Sequence, residues 1–203
     1  MGNNLSILNK STVYSEDVKI VALIGPKGCG KTSLVRRLTR DSLHQTSRNP
    51  VSSTRRVTHT EINLRGIRIV VLDTPGIGYL GNCKEFSERD VLDLVESWLR
   101  KHRRNARLTG ILYVQNTDRR VMPTIDSFRE ICESNDFYSS VVLVATGNLD
   151  KLRELETGIW SEVLSRGAKV FPFTGTKESA EKAVALQTSG LRPGRRFYRA
   201  TAQ

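Results

Sequence analysis

The sequence predicts a three-layer α/β fold: a mostly parallel sheet with one antiparallel edge strand and helices on both faces. Three observations carry that expectation. Short apolar runs alternate with segments whose apolar residues recur at helical spacing, the pattern of successive β-α-β units. The first apolar run enters a glycine-rich turn spanning residues 25–30, and a helical pattern follows at once. A later run ends on an acid, Asp73, followed by Thr74, Pro75 and Gly76, and the carboxyl end of a buried strand is where parallel sheets present ligand-binding groups.

Taken in order, residues 18–24 form an apolar run that reads as a buried strand. Leu34, Val35 and Leu38 give residues 32–39 helical spacing, and the polar stretch 41–56, broken by Pro50, reads as a loop. Residues 58–63 alternate like an edge strand, and residues 67–72 form a second apolar strand. Beyond the glycine-rich stretch TPGIGYLGN, Val91, Leu92, Val95, Trp98 and Leu99 mark one face of a helix. Residues 111–114 and 141–145 are strands. Residues 122–132 read as a helix starting near Pro123, and another is expected over 152–164. A short strand over 169–173 and a helix over 177–186 close the pattern. The predicted organisation is a flexible segment over 1–16, one domain over 17–188 and a basic tail over 189–203.

A chain of 203 residues suits one domain of this kind, and 38% hydrophobic with 26% charged residues is a globular composition. Lys plus Arg number 32 against 21 Asp plus Glu, a formal charge of +11 that favours anionic partners. Solvated surface lysine and arginine explain the same surplus equally well. The three cysteines, Cys29, Cys83 and Cys132, are odd in number and lie far apart, without metal spacing. A reducing, cytoplasmic setting is expected from that usage. No apolar run approaches the ~18 residues that span a bilayer.

Gly25-Pro26-Lys27-Gly28-Cys29-Gly30-Lys31-Thr32 matches GxxxxGK followed by Ser or Thr, between a predicted strand and a predicted helix. Glycines let the backbone curl so that successive N–H groups face inward around phosphate oxygens, and the helix that follows adds its positive end. Lys31 then bridges the β- and γ-phosphates in a catalytic role, Thr32 ligates Mg²⁺, and Ser33 meets the α-phosphate. The fold is accordingly that of a P-loop NTPase. Cys29, inside the loop, reads as a small filler in preference to a redox switch, although a helix N-terminus favours a thiolate.

Asp73 is the second candidate metal ligand, holding magnesium through its water shell, and Gly76 lets its own N–H approach the γ-phosphate. A threonine before this strand pair would sense the γ-phosphate and the metal. Thr54, Thr58 and Thr60 are the candidates, and Thr54, in the polar loop, is the choice for both catalysis and metal binding.

Beyond these motifs, residues 18–187 resemble the fungal relatives of the AIG-type (GIMAP-like) GTPases, which belong with the septin and chloroplast-import-receptor group of G domains. The segments VALIGPKGCGKTSLVRRLT, SSTRRV, IVVLDTPGIG, LTGILYVQNTDRR, FREICE, VVLVATGNLD and FPFTGTKESA carry the resemblance. It implies a G domain that binds GTP and GDP with Mg²⁺, slow hydrolysis, and nucleotide-dependent pairing of two copies. Guanine recognition in such domains uses Asn/Thr-Lys-x-Asp, whose Asp accepts hydrogen bonds from the base. Here the strand runs into Thr146-Gly147-Asn148-Leu149-Asp150. Asp150 stands in the right neighbourhood, Asn148 replaces the lysine, and Thr146 takes the leading position. The alternative is that Asp150 caps the following helix. Gly175, in Phe173-Thr174-Gly175-Thr176, resembles the last base-contacting loop.

The residue after Gly76 is Ile77 and not the glutamine that orients water in Ras-like enzymes. Turnover would draw on Arg55, Arg56 or a partner protomer, unless both arginines are solvated loop charges. Three readings therefore stand. The first is a GTP-binding protein with slow Mg²⁺-dependent hydrolysis stimulated by dimerisation. The second is a nucleotide-gated interaction or membrane-docking module that hardly hydrolyses. The third is a small-molecule kinase, whose arginine-bearing lid would have to come from Arg119, Arg120 or Arg129.

Arg100, Lys101, His102, Arg103, Arg104 and Arg107 form a cationic run at a helix end. It serves either the helix dipole or an acidic membrane or protein surface. Nucleic acid is disfavoured, because no recognition motif accompanies the run. Met1-Gly2-Asn3-Asn4-Leu5-Ser6 fits the myristoylation pattern. Modification at Gly2 plus a polybasic patch would give peripheral membrane attachment.

Overall fold

The computed structural model describes residues 18–39, 56–78, 86–102, 107–119, 121–123 and 125–188. Expectations for the segment 1–16, Gly2, Cys83, Thr54, Arg55, Arg103, Arg104, Arg120 and the tail 189–203 fall outside them. Six strands form one sheet: β1 (Lys19–Ile24), β2 (Thr58–Leu64), β3 (Ile67–Asp73), β4 (Gly110–Asn116), β5 (Val141–Thr146) and β6 (Lys169–Pro172). Their order is β2-β3-β1-β4-β5-β6. Every pairing is parallel except β2 with β3 at the edge. The mostly parallel sheet and its antiparallel edge are thus as the sequence predicts.

The helices are α1 (Lys31–Thr39), α2 (Glu88–His102), α3 (Leu152–Thr157), α4 (Ser161–Ser165) and α5 (Lys177–Thr188). Strand alternation divides the core between the two faces. Ile20, Ala22 and Ile24 of β1 pack with Val91, Val95 and Leu99 of α2 and with Leu155 and Val163. Val21 and Leu23 pack the opposite way, with Leu34 and Leu38 of α1 and Ala180, Ala183 and Val184 of α5.

The chain leaves β1 toward β3 on one side and later returns to β4 on the other, so the ends of these strands border a crevice. In register, Leu23 lies beside Asp73, Ile24 beside Tyr113, and Asn116 beside Thr146. The edge hairpin turns at Arg65 and Gly66, both at positive φ (53° and 83°), with Asn63 Oδ1 accepting from Gly66 N–H at 2.9 Å. Its far end sets Thr58 opposite Asp73.

Two helical expectations are corrected. Residues 122–132 are not an α-helix but a 3-10 turn over Asp126–Ile131. The backbone is captured there by Leu108, which donates to Ile131 O at 2.6 Å and accepts from Glu133 N–H at 2.8 Å, and these tertiary bonds displace the helical ones. The helix over 152–164 is split at Gly158, where φ is −104° and ψ −114°. The break lets Trp160 turn fully into the core, where its indole N–H donates to Gln115 Oε1 at 3.1 Å.

Candidate nucleotide-binding site

Gly25 to Gly30 curl between β1 and α1, with Gly25, Gly28 and Gly30 all at positive φ (142°, 74° and 103°). That backbone is accessible to glycine and strained for other residues. Lys31 opens α1 and its ammonium folds back over the loop, donating to Gly25 O at 2.8 Å and Pro26 O at 2.9 Å. Lys31 is itself buried. A third, weaker bond runs to Cys29 Sγ at 3.6 Å, so all three of its donors are directed at the loop that an anion would enter, and the charge is posed in advance of any ligand.

Asp73 sits at the end of β3 and is buried. Its Oδ2 accepts from the Thr32 hydroxyl at 2.8 Å, while Oδ1 has no hydrogen-bond partner among the described residues. Burial pushes the Asp73 carboxyl above the usual carboxylate range, against the opposing pull of the Thr32 hydroxyl, Lys31 and Arg36. A buried acceptor left unpaired is costly, and a carboxylate oxygen beside a threonine hydroxyl is a donor set that suits a hard cation. The residues present therefore fit Mg²⁺.

The raised Asp73 pKa bears on stability. The folded state holds the Asp73 proton to higher pH than the unfolded chain. This group's contribution to stability therefore falls as pH rises from the ordinary carboxylate range through the raised value. Asp73→Asn in metal-free buffer is expected to lack that fall and to unfold within about 1 kcal/mol of the parent at neutral pH, or later. Urea denaturation across the pH range checks it.

The segment after Asp73 lies on the phosphate loop. Thr74 Oγ1 donates to Leu23 O at 2.6 Å. A Cβ on Gly76 would meet Lys27 Cα at 2.5 Å, so only glycine permits the close approach. Ile77 then pairs with the loop like a strand, its N–H donating to Gly25 O and its carbonyl accepting from Lys27 N–H, both at 3.1 Å. Sequence reasoning noticed only that Ile77 lacks a carboxamide; the bridge itself has no local signature.

Cys29 is buried inside the loop, and burial pushes its thiol pKa up. It therefore stays protonated, in keeping with a filler. Thr146 is also buried, its hydroxyl donating to Cys29 O at 2.8 Å. It braces the phosphate loop from behind and does not face outward. Asp150 is exposed, and its N–H donates to Asn148 Oδ1 at 3.0 Å. The capping side chain at this turn is thus Asn148, which corrects the alternative that Asp150 performs it. Gly175, at φ 77°, lies in the loop from β6 to α5. There Thr176 Oγ1 accepts from Ser179 N–H at 3.1 Å, and Ser179 Oγ accepts from Thr174 N–H at 3.0 Å. Ser33 is exposed on the first turn of α1. Lys27, Gly28, Gly30 and Thr32 complete the set brought together here, while Asp150 and Gly175 lie on the loops after β5 and β6.

Arg119, which the sequence offers only as a candidate for a kinase lid, reaches this loop as well. It follows β4, and its Nη1 donates to Lys27 O at 3.0 Å.

The family model described as 50S ribosome-binding GTPase matches residues 20–146. The "Probable GTP-binding protein EngB" of Mycoplasma mycoides subsp. mycoides is 30% identical over 151 residues, which are 74% of this chain and 72% of that protein. Among solved structures, Toc33 from Arabidopsis thaliana in complex with Mg²⁺ and GMPPNP has a TM-score of 0.53 at 16% identity, covering 85% of each chain. The G domain of the FeoB iron transporter of T. maritima has a TM-score of 0.51 at 20% identity, covering 85% of this chain and 99% of that one.

Proposed function

This chain belongs to the 50S ribosome-binding GTPase family, and from that premise we propose that it binds GTP and GDP with Mg²⁺ and hydrolyses GTP slowly, faster when two G domains pair. The observation that carries the reading is Lys31, buried and already bonded to two carbonyls of a glycine cradle, with the Thr32–Asp73 pair alongside. The N–H groups of residues 28–33 would surround the phosphates, and Lys31 would exchange its weak bond to Cys29 Sγ for one to a phosphate oxygen. Thr32 and Asp73 would hold the metal, joined by Thr54. When bound, Mg²⁺ neutralises charge on the phosphate oxygens.

Asp150 and the Gly175 loop would read the base. Guanine offers its N1–H and 2-amino group to a carboxylate, whereas adenine has no such pair of donors. Calorimetric titration is expected to show GTP and GDP bound on the order of 100-fold more tightly than ATP. Asp150→Asn should invert the preference toward a xanthine nucleotide, whose 2-carbonyl accepts from the amide. Equal affinity for GTP and ATP would refute the assignment.

Slow hydrolysis follows from Ile77, which has no group to orient water. Membership of the AIG-type branch would add pairing of two copies across the nucleotide face, with Arg56 or a partner residue supplying charge. Turnover per chain should then rise with protein concentration. Turnover that stays negligible at every concentration would favour the second reading, a nucleotide-gated interaction or membrane-docking module. For that reading, N-myristoylation of Gly2 is the proposed anchor in a cytoplasmic protein, checked by mass spectrometry of the native protein. No helix among the described residues is long and apolar enough to cross a membrane.

A further inference from the structure

We propose that Arg119 is a catalytic residue supplied in cis: its guanidinium crosses the rim of the phosphate loop and meets the terminal phosphate oxygens of bound GTP. The inference rests on the GTP reading above and adds a residue to it. Arg119 Nη1 donates to Lys27 O at 3.0 Å, and a Cβ placed on Gly28 would lie 3.9 Å from the same nitrogen. The group therefore stands over the middle of the cradle, on residues 27 and 28, although it comes from a turn 92 positions away in sequence. One N–H on a carbonyl leaves the other donors of a five-donor fork.

An exposed arginine ordinarily samples many rotamers, but this one rises from a fixed base. Gln115 is fully buried in β4. Its amide nitrogen donates to Arg119 O at 2.7 Å and its oxygen accepts from the Trp160 indole at 3.1 Å. Arg119 N–H donates to Asn116 O at 3.0 Å, and Asn116 Oδ1 accepts from Asp118 N–H at 2.8 Å. Lys151 pairs with Asp118 at 2.7 Å, and the Tyr113 hydroxyl reaches Met122 O at 3.4 Å. A buried amide in a central strand is tolerated only when its polar atoms are paired. Gln115 directs both ends of its amide to holding this turn and the indole beneath it. Support of that kind characterises positions where side-chain placement matters.

In the reaction, the water oxygen bonds to the γ-phosphorus as the bond to the β–γ bridging oxygen breaks. The electron pair stays on GDP, and the water proton passes to inorganic phosphate. Negative charge grows on the bridging and γ-oxygens, and a guanidinium already on the rim stabilises it without reorganisation. With Ile77 unable to orient water, charge stabilisation is the part of the catalytic work that this chain can supply for itself.

The test compares Arg119→Ala and Arg119→Lys with the wild-type chain, in single-turnover GTP hydrolysis and in calorimetric binding of GDP with and without aluminium fluoride. Arg119→Ala should keep GDP affinity within about threefold, lower the hydrolysis rate roughly 10- to 100-fold, and lose the extra affinity that aluminium fluoride confers. Arg119→Lys should recover part of the rate, since it restores the charge without the fork. An equimolar mixture of Arg119→Ala and Lys31→Ala proteins should turn over no faster than the two apart. Recovery in the mixture would overturn a cis role, and unchanged hydrolysis with unchanged aluminium fluoride binding in Arg119→Ala would overturn any catalytic role. A wild-type chain that binds neither GDP nor GTP would instead overturn the GTP reading beneath it.

Discussion

Lys31→Ala is expected to weaken GTP binding roughly 100- to 1,000-fold, about 3–4 kcal/mol, while leaving the fold in place. The binding loss follows from position: the ammonium is buried at the mouth of the loop, bonded to Gly25 O and Pro26 O. No other described side chain bonds both of those carbonyls, and an entering polyphosphate would lose its principal counter-charge. The small folding cost follows from the same contacts. Two carbonyls lose a charged donor, but Gly25 O keeps the N–H of Ile77 at 3.1 Å. Net hydrogen bonds are worth about 1 kcal/mol each. Calorimetry with a non-hydrolysable GTP analogue measures the first effect, and circular dichroism with urea unfolding measures the second. Undiminished affinity in a folded variant would remove Lys31 from the site.

Gly25→Ala should do the opposite, damaging the fold before the site. A Cβ there would lie 2.1 Å from Val114 O and 3.1 Å from its carbonyl carbon, both backbone atoms of β4, at a φ of +142° that side chains rarely adopt. Neither atom can step aside without parting β1 from β4, the two central strands. The expected penalty is on the order of 3 kcal/mol or more, read as a lower urea midpoint. For a domain of this size that is a drop of roughly 6–12 °C in Tm. Gly66→Ala is the control. Its φ is 83° and nothing lies within 4 Å of the added carbon, so only backbone strain of about 1 kcal/mol is expected.

Much of this architecture is legible in the residue order, because local signals and global fold agree. The apolar runs of β1, β3 and β5 have no competing pattern, and the glycines before Lys31 have one geometric use. The misread segments are those where tertiary bonds outweigh local preference. Phe128 and Cys132 sit at helical spacing, yet Leu108 takes the backbone around Ile131 into a bridge. The 152–164 stretch contains a glycine at its centre, and a buried Trp160 rewards the break with a hydrogen bond to Gln115. At the site, Lys31, Thr32 and Asp73 are readable because motif spacing encodes their proximity. Thr146 is readable as a nearby residue but not as a brace, since its partner Cys29 O lies 117 positions away. The contact of Arg119 with Lys27 O and the Ile77 bridge are invisible for the same reason: nothing in a linear pattern states which backbone carbonyl a distant group will meet.

The edge hairpin works as a ruler for the centre of the molecule. Its turn at Arg65 and Gly66 fixes seven consecutive pairs, ending with Thr58 across from Asp73, roughly 20 Å from the turn at ~3.3 Å per residue. One residue added at that remote tip would shift the whole strand. Thr60, now buried, would trade sides with exposed Glu61, and the chain entering at Arg56 and Val57 would arrive one step out of phase with the acid. A solvent-facing turn with no ligand of its own thus calibrates, from a distance, which residue stands against Asp73.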